Sequence, residues 1–378
     1  MELNFSEEQR ILMKSARDFL RKESPTSLIR EMRENETGYP PRLWKHIAEM
    51  GWLGVVIPEE FGGSGGSFLD LAVLLEAMGE ACLPGPFFST VVLGSTAILL
   101  AGSKEQKESL LPRLAGGDLI IAFAAAEPEN WYGSANIKTT AVKEGEDYLI
   151  NGAKHFVENA HVADIIICVA KMNEKEDDES GPALFLVDKN SPGVKVKVIK
   201  TLGYEKQCEV VFDSVRLKKD DILGGPGNAA QVLETIEERA AAAKCAEMVG
   251  AMQTAFSMSL AYAKEREQFG RPVGSFQAVQ HHLANMAVDV DSARYITYQA
   301  VWKISEGLPA DMETAMAKAF TSEAAGRVTR LGHQVHGAIS FCDEHDMHLY
   351  YRKAKSAALA FGDTEYHLEK VAGMLGLK

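Results

Sequence analysis

AKEREQFGRPVGSFQAVQHHLANM, residues 263–286, joins two long helical segments through a short break. From about residue 228 to 267 the chain is rich in Ala, Glu, Lys and Met and has no proline, a composition that favours helix. Gly270, Pro272 and Gly274 end that helix, and Ser275 is a residue type that caps the start of another. Beyond it Phe276, Val279, Leu283, Met286 and Val290 recur at helical spacing, which predicts one apolar stripe facing a core. Arg266 falls where the first helix stops, with Gln277 and Gln280 at the start of the second. A guanidinium beside a glycine-relieved turn offers paired donors suited to a diphosphate. The same residue also reads as a surface arginine favoured by the helix C-terminus.

The chain has 378 residues, enough for two or three domains with ample core. Its net charge of −13 argues against a nucleic-acid or anionic-membrane partner. An anionic cofactor must therefore find a local basic or helix-terminal site. The five cysteines, at 82, 168, 208, 245 and 342, lie far apart without a C-x-x-C pair, so neither zinc nor a disulfide framework is expected. The first twenty residues are acidic and amphipathic, unlike a signal or transit peptide. The longest nearly apolar run, 91–101, is too short to span a bilayer, so no membrane insertion is expected and the cytoplasm is the default location.

Residues 1–117 read as helical. Phe5, Ile11, Leu12, Ala16, Phe19 and Leu20 form one stripe behind Ser6, and Leu43, Ile47, Met50 and Trp52 mark a further helix. The glycines after Pro58-Glu59-Glu60-Phe61 lack the Lys-Ser/Thr of a phosphate loop and the spacing of a dinucleotide fingerprint, so they read as a structural corner. Residues 118–225 change character to short, β-branched, turn-bounded runs, with Gly145-Glu-Asp and Asn151-Gly152 as hairpin signals. Residues 226–378 return to helix, with breaks near 270, at Gly307-Leu308-Pro309 and around 337–341, giving four or five helices. The expected fold is α+β: an N-terminal all-α domain, a central antiparallel β-domain and a C-terminal helical bundle.

Arg266-Glu-Gln-Phe269-Gly270-Arg-Pro272, followed by Phe276-Gln277-x-x-Gln280-x-x-Leu-Ala-x-Met, resembles the C-terminal signature of the acyl-CoA dehydrogenase family, and the resemblance covers essentially the whole chain. It implies FAD as cofactor, an acyl-CoA substrate and electron-transfer flavoprotein or a similar acceptor. It also implies a homo- or hetero-oligomer, a dimer or tetramer, whose FAD sites straddle subunits. In the family, a proton leaves the α-carbon and a hydride leaves the β-carbon for the flavin, giving a 2-enoyl-CoA. Ala126-Glu127-Pro128 with Gly133-Ser134-Ala135 matches a loop that wraps the flavin and contacts CoA, so Ser134 is a substrate-binding candidate. Lys154-His155-Phe156-Val157-Glu158-Asn159 matches the segment whose aromatic residue, here Phe156, lies beside the isoalloxazine. Arg266, Phe269 and Gln277 match residues that reach the FAD of a neighbouring subunit, as do Gln334 and Gly337 of Gln334-Val-His336-Gly337-Ala338. Phe361-Gly362-Asp363-Thr364 falls where the family carries its catalytic glutamate, and Thr364 is a further cofactor candidate.

The departures from the pattern matter as much. Ala126 and Ala135 stand for a threonine and an aspartate, Glu158 for a threonine near flavin N5, and Gly362 for the catalytic carboxylate. General-base catalysis contributes roughly 10²–10⁴-fold, and a glycine supplies none of it. Some family members place the glutamate on the long helix before the Arg-x-x-Phe-Gly segment. That slot falls at Ala240, from which Glu237 and Glu238 are expected to point away, whereas Glu247 lies on about the same face. The candidate bases are therefore Glu247 first and Glu158 next, with Asp363 as a neighbour of the empty slot. Glu247 also reads as an ordinary ion-pair glutamate. Glu344-His-Asp346-Met-His348-Leu-Tyr350 resembles the branch in which two related chains pair and only one carries the base; its histidines read as polar helix residues rather than metal ligands. Two competing readings remain: an assembly subunit that completes a partner chain's FAD site, and a flavoenzyme of this fold with a non-standard base and different chemistry.

Overall fold

The computed structural model describes residues 5–128, 137–173, 181–224 and 229–377. Six α-helices come first: α1 (Glu7–Glu23), α2 (Thr26–Glu34), α3 (Pro41–Glu49), α4 (Phe68–Glu80), α5 (Ser95–Ala101) and α6 (Lys104–Ala115). The start signal at Ser6 is a capping box: its hydroxyl accepts from Gln9 N–H while the Gln9 side chain returns to the Ser6 backbone. The glycine-rich corner is structural, because a Cβ on Gly63 would lie 2.0 Å from Ile57 O. A π-helix over Phe88–Gly94 leads into α5, and Thr90 Oγ1 links it to both backbone groups of Ile121.

Seven strands follow: β1 (Ile121–Ala124), β2 (Thr140–Glu144), β3 (Asp147–Glu158), β4 (Ile165–Asn173), β5 (Pro182–Asp188), β6 (Val194–Ile199) and β7 (Gln207–Leu217). Two features differ from the sequence reading. The sheet is not purely antiparallel: β1 and β2 lie end to end along one edge of β4, both parallel to it, with β5 antiparallel on the other edge. Asn151-Gly152 does not turn the chain, because β3 runs straight through it with a bulge against β7; only Gly145-Glu146 closes a hairpin, between Glu144 and Asp147.

Five helices complete the chain: α7 (Ala229–Glu265), α8 (Gln277–Ser305), α9 (Asp311–His336), α10 (Met347–Leu359) and α11 (Thr364–Met374). The break between α7 and α8 is where the composition places it, but Ser275 does not cap α8. Its hydroxyl donates to Pro272 O inside a 3₁₀ turn, and Phe276 occupies the cap position without a side-chain bond. The α4–α7 crossing is set by glycine on both sides. A Cβ on Gly79 would stand 2.0 Å from Glu247 O, and one on Gly250 would stand 1.9 Å from Glu76 O. Backbone contact this close packs the N-terminal helices against the long helix and fixes which turns of α7 face the sheet. No helix among the described residues is long and apolar enough to cross a membrane.

Candidate active site

A cavity of about 1080 Å³ opens between the sheet and the helical bundle. Phe156 and Glu158 from the end of β3 form one wall, α7 with Glu237, Glu238 and Lys244 forms another, and Phe361 and His367 close a third. Phe156 sits at φ 53° inside the bulge between Lys154 and Val157, and Asn159 at φ 58° just past Glu158, the last residue of β3 paired with β7. That local twist leaves the Phe156 ring 47% exposed toward the cavity, a flat apolar face on which a ring system can lie. Gln207 Oε1 is buried in the same wall without a hydrogen-bond partner. An unpaired buried acceptor calls for a ligand with N–H or O–H donors, which a flavin ring and its hydroxylated chain possess. The wall therefore fits FAD.

Behind the wall lies a chain of alternating charges. Lys244 Nζ is 2.8 Å from Glu247 Oε2 and 4.0 Å from Glu158 Oε1, while Lys353 Nζ is 2.7 Å from Glu247 Oε1 and 3.1 Å from Glu205 Oε1. Lys244 also stands 3.5 Å from the centroid of the Phe88 ring, which in turn stacks on Phe361. Glu247 is thus a correction to the sequence reading. Burial works to raise its carboxyl, but two lysines hold it down at about 2, and it is absent from the cavity wall. A carboxylate clamped between two ammonium groups gains little by taking a proton, so Glu247 is an anchor for Lys244 and Lys353, not a poised base. Glu158 does line the cavity, and burial pushes its carboxyl up, with Lys244 opposing and Glu205 and Glu247 adding to the rise.

The turn at Gly362, where the resemblance leads one to expect a carboxylate, has no room for a side chain. Gly362 lies at φ 94°, and His367 folds back from α11 so that its Nε2 meets Phe361 O at 2.8 Å. Lys318, fully buried, donates to the carbonyls of Ala358 and Gly362 at 3.0 and 2.7 Å, so the turn ahead of α11 is tied down from two sides. Asp363 is no base either: its side chain accepts the Tyr366 N–H and caps α11, and Thr364 is that helix's first residue. Glu127 is likewise structural, since it pairs with Lys154 at 2.7 Å and accepts the backbone N–H groups of Lys138 and Thr139.

Glu237 and Glu238, expected to point away, both face the cavity. Burial and the nearby Asp311 push the Glu238 carboxyl up to about 7. Lys244, Glu205, Lys318 and His367 escaped the sequence reading altogether. The signal available for two of them is a lone lysine inside an alanine-rich apolar helix, Ala240–Ala243 before Lys244 and Ala315-Met-Ala317 before Lys318. A buried ammonium at such a position needs built partners.

Arg266, Phe269, Gln277, Gln334 and Gly337 do not touch this cavity. All five are exposed, Phe269 to 92%. They gather at one end of the bundle, where Tyr262 on the last turns of α7 packs on His336 at 4.6 Å between ring centroids. Ser134 lies outside the described residues. Among the described residues, no group of three or more His, Cys, Asp or Glu is placed to hold a metal ion.

Comparison with known proteins agrees with this architecture. The family models for the N-terminal, middle and C-terminal domains of acyl-CoA dehydrogenase match residues 6–118, 122–215 and 229–375. A probable acyl-CoA dehydrogenase of Bacillus subtilis, YngJ, is 32% identical over 99% of this chain and 100% of its own length. Among solved structures, the FAD complex of PigA superposes with a TM-score of 0.91 at 28% identity over the full length of both chains. The ChsE4–ChsE5 complex from Mycobacterium tuberculosis matches with a TM-score of 0.91 at 27% identity, again over all of both chains.

Proposed function

The chain belongs to the acyl-CoA dehydrogenase family of FAD-dependent oxidoreductases, and we propose that it carries out α,β-dehydrogenation of an acyl thioester with Glu158 as the group that takes the α-proton. The observation that carries this reading is the cavity wall of β3, where the open face of Phe156 and the carboxyl of Glu158 stand two residues apart on one strand end. FAD, when bound, supplies the electron sink for the β-hydrogen and its electron pair. The protein's part is positional and electrostatic. Phe156 and Gln207 seat the ring, Lys244 holds a positive charge beside the wall, and Phe361 closes the opposite side. Burial gives Glu158 a higher proton affinity than an exposed carboxylate, closer to what a base at neutral pH needs.

Arg266, Phe269, Gln277, Gln334 and Gly337 are assigned to the FAD of a neighbouring subunit, with Thr364 at the start of α11. Their exposure and their distance from this chain's own cavity support that assignment. The same observation favours a second reading, in which this chain completes the site of a related partner while its own pocket stays silent. Either reading carries with it a cytoplasmic oligomer, homomeric or paired with a related chain, that passes electrons to an electron-transfer flavoprotein or a similar acceptor.

The test is anaerobic bleaching of the flavin absorbance on adding acyl thioesters to the purified holoprotein. Glu158→Gln keeps shape and removes the base, so bleaching should slow by roughly 10² or more with FAD content unchanged. A rate that survives Glu158→Gln removes Glu158 from the mechanism. A wild type that no acyl thioester bleaches alone, but that supports bleaching once a related chain is added, leaves the assembly role.

A further inference from the structure

The end of the cavity away from β3 is built from α7, the start of α9 and α11, and its charge is one-sided. Glu234, Glu237, Glu238, Asp311 and Glu369 line the cavity together with Lys370, and carboxylates outnumber the ammonium groups of Lys244, Lys355 and Lys370 in its lining. The Lys370 ammonium sits over the Tyr366 ring, 4.8 Å from its centroid, and does not reach Glu238 Oε1, which is buried without a hydrogen-bond partner.

Two more side chains lining this end, each only 3% exposed, are left unpaired. Thr314 Oγ1 has no partner, and neither has His367 Nδ1. His367 Nε2 faces the Phe361 carbonyl at 2.8 Å, an acceptor, so the ring proton is on Nε2 and Nδ1 presents a bare lone pair. Burial, chiefly, holds this imidazole neutral by lowering it to about 4. Glu238 Oε1 and His367 Nδ1 are acceptors, and the Thr314 hydroxyl can serve as one. All three line one cavity. Asp311 and Thr314 share a face of α9 one turn apart, His367 and Lys370 share a face of α11, and α9 packs on both α7 and α11. Asp311 and Lys370 are both within electrostatic range of Glu238.

Three unsatisfied polar atoms in a wall of excess carboxylates match a ligand group with several N–H donors and a positive charge. In the reading above, on which this inference rests, the α-carbon of the substrate lies at Glu158 on the β3 wall, and the rest of the acyl group runs toward this end of the cavity. We infer that the acyl group of the substrate carries a protonated amine, held by Glu238, Thr314 and His367. An aminoacyl thioester fits this end; a neutral fatty acyl chain would leave all three atoms unpaired in a buried wall. The charges acting on Glu238 are Arg239 on its own helix, Asp311 on α9 and Lys370 on α11, and Glu234, Glu237 and Glu369 line the same cavity. A protonated amine pairs with the ionised form of Glu238, whose carboxyl burial pushes up to about 7, so affinity should fall as the pH drops below about 7.

The experiment compares two matched pantetheine thioesters, 4-aminobutyryl and pentanoyl, binding to the FAD-loaded protein by calorimetry, with no turnover required. The expected result is tighter binding of the aminobutyryl thioester by roughly tenfold or more near neutral pH, as a charge-assisted hydrogen bond allows. That preference should shrink toward unity in Glu238→Gln and in wild type at acid pH. Thr314→Val, a milder change, should reduce it in part and serves if Glu238→Gln fails to fold. Equal or tighter binding of the pentanoyl thioester overturns the inference, as does a preference that survives Glu238→Gln. Because binding is read without flavin reduction, the two ideas fail separately. A clear preference without bleaching sinks the dehydrogenase reading alone, and bleaching by neutral thioesters without preference sinks this inference alone.

Discussion

A Cβ placed on Gly362 would stand 2.5 Å from His367 Nε2 and 2.4 Å from Tyr366 Cδ1. The first turn of α11 occupies the space that a side chain here would need, and the backbone has φ 94°, a conformation L-residues rarely adopt. A carboxylate side chain therefore has no ready space at this position.

Gly362→Glu should consequently destabilise the protein without restoring a base. Positive φ costs roughly 1–2 kcal/mol and forced overpacking about 1–3 kcal/mol. The urea midpoint should fall, and flavin bleaching by acyl thioesters should not rise above wild type. A folded, FAD-replete Gly362→Glu protein that dehydrogenates faster than wild type would mean that α11 yields easily and that the pocket lacked nothing else.

Glu247→Gln separates an anchor from a base. Breaking a buried ion pair that serves two lysines should cost about 3–5 kcal/mol, read as a lowered denaturation midpoint. The folded value of Glu247, about 2, lies below its unfolded one, so its contribution is present above the ordinary carboxylate range and is lost as pH falls toward 2. Wild type should lose stability over that acid window more steeply than the variant. Unchanged stability with a rate lowered roughly 10²-fold would return Glu247 to the mechanism.

Arg266→Ala should weaken FAD retention and oligomer stability together. One charge-assisted contact to a phosphate is worth on the order of 1.5–3 kcal/mol, so FAD affinity should fall about tenfold to a hundredfold. Flavin titration and sedimentation on the same sample check both parts. Unchanged FAD affinity in the variant would leave Arg266 as the surface arginine that its place at the helix end also allows.

The chain order of helices, sheet and bundle was legible in the sequence because it rests on local periodicity. The stripe behind Ser6, the β-branched runs after Gly117 and the glycine break at 270 each state their own structure within a few residues. The set from Arg266 to Gly337 was legible as motif, and its exposure is all that the fold adds, since exposed residues need little from the rest of their own chain. What the sequence could not carry was any property set by burial and by partners distant in the chain. Ser275 has the chemistry of a cap, yet its hydroxyl is taken by Pro272 O. Glu247 has the chemistry of a base, yet Lys353, more than a hundred positions away, removes its appetite for a proton. Glu238 and His367 are unremarkable in the sequence, and only the packing of α7, α9 and α11 leaves their polar atoms unpaired around one cavity. Helix and strand follow from neighbours along the chain, whereas proton affinity and ligand preference follow from desolvation and charge, which tertiary packing alone assigns.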